Sequence, residues 1–394
     1  QAHTMKGILN DFATSIGLKI NFHKSTLIPM NCEEDLTNEL ANIFECKIGN
    51  MPFTYLGLPL GTSKPTILDL MPLVCSAERR LTSTIAMMSY GGKLSGLNAT
   101  VTSLLIYAMC TLKFPPKLIE MLDKIRRRCL WTKKSEQGEK CNSLAAWEMV
   151  CKPKKHGGLG VINIKLLNEA LLLKFLHKFY NKMDIPWVQL LWSTYYTDKI
   201  PHAMPPVGSF WWRDILKLTP IFRGVSHVQV VSGTSALFWK DLWGQDVLQT
   251  THPHAFSFAI QEDASIKGFL ETTSLAEAFH LPLSPQALSE VRDIQLLSLH
   301  MSPTTSVNDV WHYIWGKTEF RSRDYYQYLF RDAQAHPIFK SLWRSHCIMR
   351  IKVFGWLLFH DSLNTRNMLK RRHYDIGDDH SCLLCGGPDE ETVD

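Results

Sequence analysis

The chain has 394 residues, 45% of them hydrophobic, with 43 Lys and Arg against 37 Asp and Glu for a formal charge of +6. That length lets two or three domains bury separate cores, and the composition excludes a disordered polymer. The ten cysteines are scattered with one close pair, and no signal-peptide pattern opens the sequence, which argues against a secreted disulfide framework and for an intracellular location, nuclear or cytoplasmic. The most apolar runs, such as 104–112 and 170–173, fall short of the roughly 20 residues that span a bilayer, so no membrane partner is expected.

The predicted elements begin with a helix that places Ile8, Leu9, Phe12 and Ile16 on one face and stops at Gly17. The stretch Gln1 to Asp11 already reads as part of this helix with no natural beginning, so the N-terminus is expected to be cut. Leu18, Ile20 and Phe22 then alternate as in a strand, and "MPFTYLGLPLG" (51–61) reads as an extended run with a tight turn and an exposed tyrosine. Three helices follow, near 66–88, 93–112 and 116–131, broken by Gly91-Gly92 and by Pro115-Pro116; Pro116 suits a first helical turn, where a missing N–H costs nothing. A basic, Gly-rich loop at 152–160 leads into a further amphipathic helix. The middle of the chain is rich in Pro and aromatics and contains a short echo, "GSFWWRDIL" at 208–216 and "SALFWKDLW" at 235–243, too brief to establish a repeat architecture. Helical spacing of aromatics resumes from Val310 and runs into "CLLCGGPDEETVD".

Cys382 and Cys385 have the spacing of two corners of a tetrahedral zinc, but a structural site closes only with four ligands. His373 and His380 are the nearby imidazoles, and the alternative is a pair of free thiols on a turn. Basic residues cluster at Arg126, Arg127 and Arg128, at Lys133 and Lys134, at Lys152, Lys154 and Lys155, and at Lys370, Arg371 and Arg372. Each cluster lies near a tryptophan, a glycine or a helix end, a setting that suits phosphates and stacked bases, with a merely solvated helix face as the alternative. The recurring tryptophans (131, 147, 211, 212, 239, 243, 343 and 356) are expected in cores rather than under bases. Asp378-Asp379 is the one adjacent aspartate pair, in a polar stretch without the apolar strands that would hold two carboxylates against metal ions, and no P-loop, GxSxG or HExxH motif is present.

The order of "SIGLKINFHKS", "FTYLGLPLG", the 77–131 helical stretch ending "KIRRRCLW", "WEMVCKPKKHGGLGVINI" and "LNEALLLKFLHKF" closely resembles the downstream half of plant LINE-type (non-LTR) retrotransposon reverse transcriptases. The last section, from "KSLWRSHC" to "CLLCG", is similar to the zinc-binding domain that closes many such polyproteins. The resemblance implies a mostly α fold with short β elements: a palm remnant at 1–64, a thumb-like helical bundle at 65–135, a linker region at 136–305 and a truncated zinc-binding helical module at 306–394. It implies Lys24 near an incoming nucleotide, Tyr55 in the segment that grips a primer end, and Arg126 to Arg128 along a template-primer backbone.

By the same resemblance Cys382 and Cys385 are the first two ligands of a CCHC zinc set whose His and Cys fall beyond Asp394. The catalytic Asp-Asp hairpin, with its Mg, would precede Gln1. The expected function is contact with RNA and DNA as template-primer, without polymerisation by this chain alone. The rival expectations are a clipped form of an active RNA-directed DNA polymerase and a decayed relic that binds nothing.

Overall fold

The computed structural model describes residues 1–377 except 84–86, 132–142, 197–199, 202–206, 273, 300, 302–306, 364, 372 and 374–376. The described chain is mostly helical, with three two-stranded sheets. It divides into two compact units, Gln1–Pro72 and Leu73–Asp394.

In the first unit, helix Ala2–Ser15 packs on helix Glu34–Phe44. Lys6 ties them together: its ammonium donates to the Ile43 carbonyl (2.8 Å), pairs with Glu45 (2.9 Å) and lies 5.2 Å from the Phe22 ring centroid. The hydrogen bond and charge of Lys6 hold the Glu45 carboxyl below its ordinary value. Of the apolar stripe expected on the first helix, Ile8, Phe12 and Ile16 are exposed and Leu9 is half-buried; only Ala13 of this helix is buried. The expected strand at Leu18 to Phe22 does not form. Phe22 instead opens a 3-10 turn, Phe22–Lys24, and packs on Phe44, because no described strand lies alongside to receive the backbone groups of 18–22.

Strand β1 (Thr26–Leu27) pairs in parallel with β2 (Lys47–Ile48), and β3 (Phe53–Tyr55) pairs antiparallel with β4 (Leu58–Leu60). Leu56 and Gly57 make the turn of this hairpin with φ of 49° and 82°. Positive φ at both central residues is the type I′ turn that matches strand twist, and glycine accepts it without strain whereas Leu56 does not.

The second unit carries two hydrophobic cores. Helix Ile67–Ser83, within which the boundary between the units falls, is started by a reciprocal cap: the Thr66 N–H and hydroxyl donate to the Asp69 carboxylate (both 2.7 Å) and the Asp69 N–H donates back to Thr66 Oγ1 (3.4 Å). The stretch Tyr90–Thr111 is one continuous helix with a π-helical segment at Val101–Leu105, and by length and composition it is long and apolar enough to cross a membrane, which the shorter run at 104–112 had not suggested. One of its faces (Leu94, Leu97, Val101, Leu105) is buried within the unit. Helix Pro116–Trp131 buries Leu118, Leu122, Cys129 and Leu130. These helices share a core with Trp147, Leu159 and Val161 and, from far along the chain, Phe339, Val353, Trp356 and Leu357.

The larger core surrounds helix Ile164–Tyr180. It is not amphipathic as its sequence position suggested: Leu172, Leu173, Leu176, Phe179 and Tyr180 are all buried, so the apolar surface runs round the helix. Phe179 stacks on Trp192 (4.6 Å) and touches Trp212, while Tyr180 packs against Phe222 and Trp311. Asn168 of this helix donates to the Met109 and Leu112 carbonyls and accepts from Phe114 N–H (all 2.8 Å), satisfying orphan groups at the end of helix Tyr90–Thr111.

Strands β5 (Ser226–Gln229) and β6 (Val310–Tyr313) pair antiparallel beside this core. Helix Ser322–Tyr328 closes it, with the Ser322 hydroxyl donating to Ala170 O (2.7 Å) and Tyr325 to Glu169. Asp309 fixes the loop before the second echo segment: its carboxylate accepts from the N–H groups of Val231, Ser232, Gly233 and Ser235 and from the Ser235 hydroxyl. The two echo segments bury their equivalent Trp212 and Trp239 and their Asp214 and Asp241, but the first is a helix and the second a series of turns.

Candidate nucleic-acid interface

In the first unit the two expected contact residues are both at the surface. Lys24 ends the Phe22–Lys24 turn, its side chain exposed and its N–H held by the Asn21 side chain. Tyr55 is the last residue of β3, 57% exposed beside the Leu56-Gly57 turn. The hairpin therefore presents an aromatic ring beside its turn.

The three arginines of the second unit have separate fates. Arg126 is only 2% exposed and is corrected from a phosphate contact to a core residue. It pairs with Asp123 (2.6 Å), donates to the Ile162 carbonyl, and stands 5.3 Å from the Trp147 ring. The reason is helical period: with Leu118 and Leu122 in the core, position 126 falls on the same stripe, and a cation there has to be paired or stacked. Arg127 is half-buried over the same ring at 5.5 Å. Arg128 alone is fully outward, and it shares the solvent face of helix Pro116–Trp131 with Lys117, Glu120 and Lys124.

Lys117, Lys124 and Arg128 thus make a stripe that the sequence reading missed. A rise of 1.5 Å per residue gives this stripe a length of about 16 Å. The signal was legible as spacings of seven and four, which return to one helical face, but the compact Arg triplet drew attention to its buried member instead.

The basic Gly-rich loop is a fixed structure. Lys154, Lys155 and His156 form a 3-10 turn ending at Gly157, which has φ of 82°. Gly158 leaves no room for a side chain, since a Cβ there would lie 1.9 Å from the Lys152 carbonyl oxygen. Trp356 Nε1 (2.7 Å) and the neutral His360 ring through Nε2 (2.8 Å) both donate to the Gly157 carbonyl. Burial pushes the pKa of His360 down, which favours that neutral donor. Asn98 donates to Gly160 O and accepts from Ile162 N–H, both at 2.8 Å. On this frame Lys154 and Lys155 are exposed, Lys152 is half-buried, and the Lys154 ammonium sits 5.1 Å from the Trp343 ring centroid.

Lys370 and Arg371 are exposed on helix Arg366–Arg371, Arg371 pairing with Asp361 at 3.0 Å. Arg372, Cys382 and Cys385 lie outside the described residues, as do Lys133 and Lys134. Among the described residues no three His, Cys, Asp or Glu side chains converge as a metal site. The thiols of Cys129 and Cys151 are buried, which raises them to about 11 and about 12 and keeps them protonated, so neither offers a thiolate. The expected aromatic cores are present: Trp131, Trp147, Trp212, Trp239 and Trp356 are buried, and Trp211, Trp243 and Trp343 pack against the cores.

Residues 320–394 match the family described as zinc-binding in reverse transcriptase. That match spans helices Ser322–Tyr328, Pro337–Arg344, Met349–Phe359 and Arg366–Arg371, and so includes Trp356 and His360, which clamp the basic loop. The chain is also 26% identical over 322 residues to a curated Arabidopsis thaliana protein named "Putative ribonuclease H protein", an alignment covering 78% of this chain and 50% of the relative. The chain therefore spans about half the length of that relative. Together the two similarities support a retrotransposon-type protein with a reverse-transcriptase zinc-binding segment.

Proposed function

We propose that the chain is a nucleic-acid-contacting segment of a plant LINE-type (non-LTR) retrotransposon reverse transcriptase, that its partner is an RNA and DNA template-primer, and that it does not polymerise alone. The observation that carries this reading is the helix Pro116–Trp131. Its inner face is locked into a core by Leu118, Leu122 and the paired Arg126, while its outer face presents Lys117, Lys124 and Arg128 to solvent. A rigid rod with cations along one side can follow a phosphate backbone without ordering flexible chain on binding. Lys154 and Lys155 on their clamped loop and Tyr55 at the hairpin tip add phosphate and stacking contacts of the same kind. In this reading Cys382 and Cys385 contribute two of the four ligands of a structural zinc.

The test is a titration of a labelled RNA–DNA primer-template hybrid across a salt series, with primer extension assayed in parallel with Mg and deoxynucleotides. The proposal expects log affinity to fall linearly and steeply with log salt, with no extension. A flat or absent binding response would remove the nucleic-acid reading in favour of a relic that binds nothing. Extension by this chain would make it a polymerase in its own right.

A further inference from the structure

A second surface lies within the family-matched segment. From Ala333 to His360 the sequence contains no Asp or Glu, yet it carries Lys340, Arg344, Arg350 and Lys352. Helices Pro337–Arg344 and Met349–Phe359 are joined by a short connection and pack on each other, with Lys352 donating across to the Trp343 carbonyl at 3.1 Å. Their inner faces supply Phe339, Val353, Trp356 and Leu357 to the core. Their outer faces expose Lys340, Arg344 and Arg350 together with Ile351 (52%) and Phe354 (55%). Arg350 and Phe354 are four residues apart and Ile351 and Phe354 three, so all three share one face of the helix. Lys154 of the Gly-rich loop lies 5.1 Å from the ring centroid of Trp343 on the first of these helices.

We propose that this surface holds single-stranded polynucleotide, with Lys340, Arg344 and Arg350 on phosphates and Ile351 and Phe354 under unpaired bases. The proposal rests on the nucleic-acid reading above and adds a strand preference to it. A stretch that carries four cations and no carboxylate of its own fits a polyanion and disfavours a second copy of the same stretch. Apolar and aromatic side chains among those cations have no use for a duplex, whose bases are stacked inside, but they stack on bases that are unpaired.

The experiment compares a labelled oligouridylate, a duplex RNA and phosphatidylserine vesicles as probes for the full chain and two double variants, Ile351→Ala with Phe354→Ala, and Arg344→Gln with Arg350→Gln. All four side chains are exposed and removed from the core. Losing the apolar pair should weaken oligouridylate binding about tenfold while leaving duplex affinity and the salt slope unchanged. Losing the arginine pair should lower the oligouridylate salt slope by about 1.4, or about 0.7 per neutralised phosphate. Equal weakening of single-strand and duplex binding by the apolar variant, or no weakening, overturns the strand preference alone. Vesicle binding that depends on Phe354, without such an effect on oligouridylate, makes the surface a membrane contact instead. If the unmodified chain binds neither nucleic acid, the wider reading fails with it.

Discussion

Arg126 shows how a cation can serve stability rather than binding. Replacing it with Met would strand the Asp123 carboxylate and the Ile162 carbonyl, a loss of about 3 kcal/mol by analogy with other broken buried pairs. Urea unfolding would measure that loss, and the salt slope of nucleic-acid binding should stay as it was, because the guanidinium never reaches solvent. Gly158→Ala should be costlier for its size, about 3 kcal/mol or more, since the new Cβ meets a backbone carbonyl that is already accepting from Gly160 N–H.

His177 contributes to the fold's acid sensitivity. Its Nδ1 faces the Tyr313 hydroxyl at 2.6 Å and the Asn181 amide at 3.0 Å, with Phe320 against the ring and Glu319 and Lys178 nearby. Burial pushes its pKa down to about 4. Below an unfolded value of about 6.5 the unfolded chain takes up a proton that the folded chain refuses, so stability should fall by about 3 kcal/mol as pH drops from about 6.5 to 4. His177→Gln should remove most of that slope in thermal melts. Asp309 acts lower on the scale: burial alone would raise its carboxyl, but the surrounding N–H donors outweigh this and hold it below the usual range. Its contribution is present above about pH 4 and is lost as pH falls through its folded value, so Asp309→Asn should leave the His177 window intact.

At the scale of elements, local pattern was the reliable guide. The Pro115-Pro116 break and the tight turn of "YLGLPL" fell where expected, whereas Gly91-Gly92 is no break: both glycines lie in the first turn of helix Tyr90–Thr111, behind the Ser89 cap, because capping and turn chemistry are set by neighbouring residues. Which face of each element would be buried was less legible. The Ile8, Leu9, Phe12 and Ile16 stripe has a core-like period but is exposed apart from the half-buried Leu9, whereas helix Ile164–Tyr180, with two lysines exposed along it, is buried nearly all round. Burial depends on partners far along the chain, as with Asn168 at the end of helix Tyr90–Thr111 or Trp356 on Gly157, and nothing local announces them. The candidate interface followed the same rule. Basic clusters were visible as runs, but only the helical register separates Arg126 from Arg128 and brings in Lys117 and Lys124.

For the whole molecule, the described part of the family-matched segment is built into the second unit rather than appended to it. Helix Ser322–Tyr328 packs on the larger core, and helices Pro337–Arg344 and Met349–Phe359 complete the other and hold the basic loop in place. Contacts of this range make the second unit's stability and its cationic surfaces interdependent, since the loop that carries Lys154 and Lys155 is shaped by Trp356 and His360. On the proposed function the outer face of helix Pro116–Trp131 follows a phosphate backbone. Its most direct test is the salt dependence of template-primer affinity for the chain and for a Lys117→Gln, Lys124→Gln, Arg128→Gln variant. All three side chains are exposed, so the fold should persist, and the slope of log affinity against log salt should flatten by about 2 to 3, or roughly 0.7 to 0.9 for each phosphate no longer neutralised. An unchanged slope in a folded triple variant would mean that this face does not touch the phosphates.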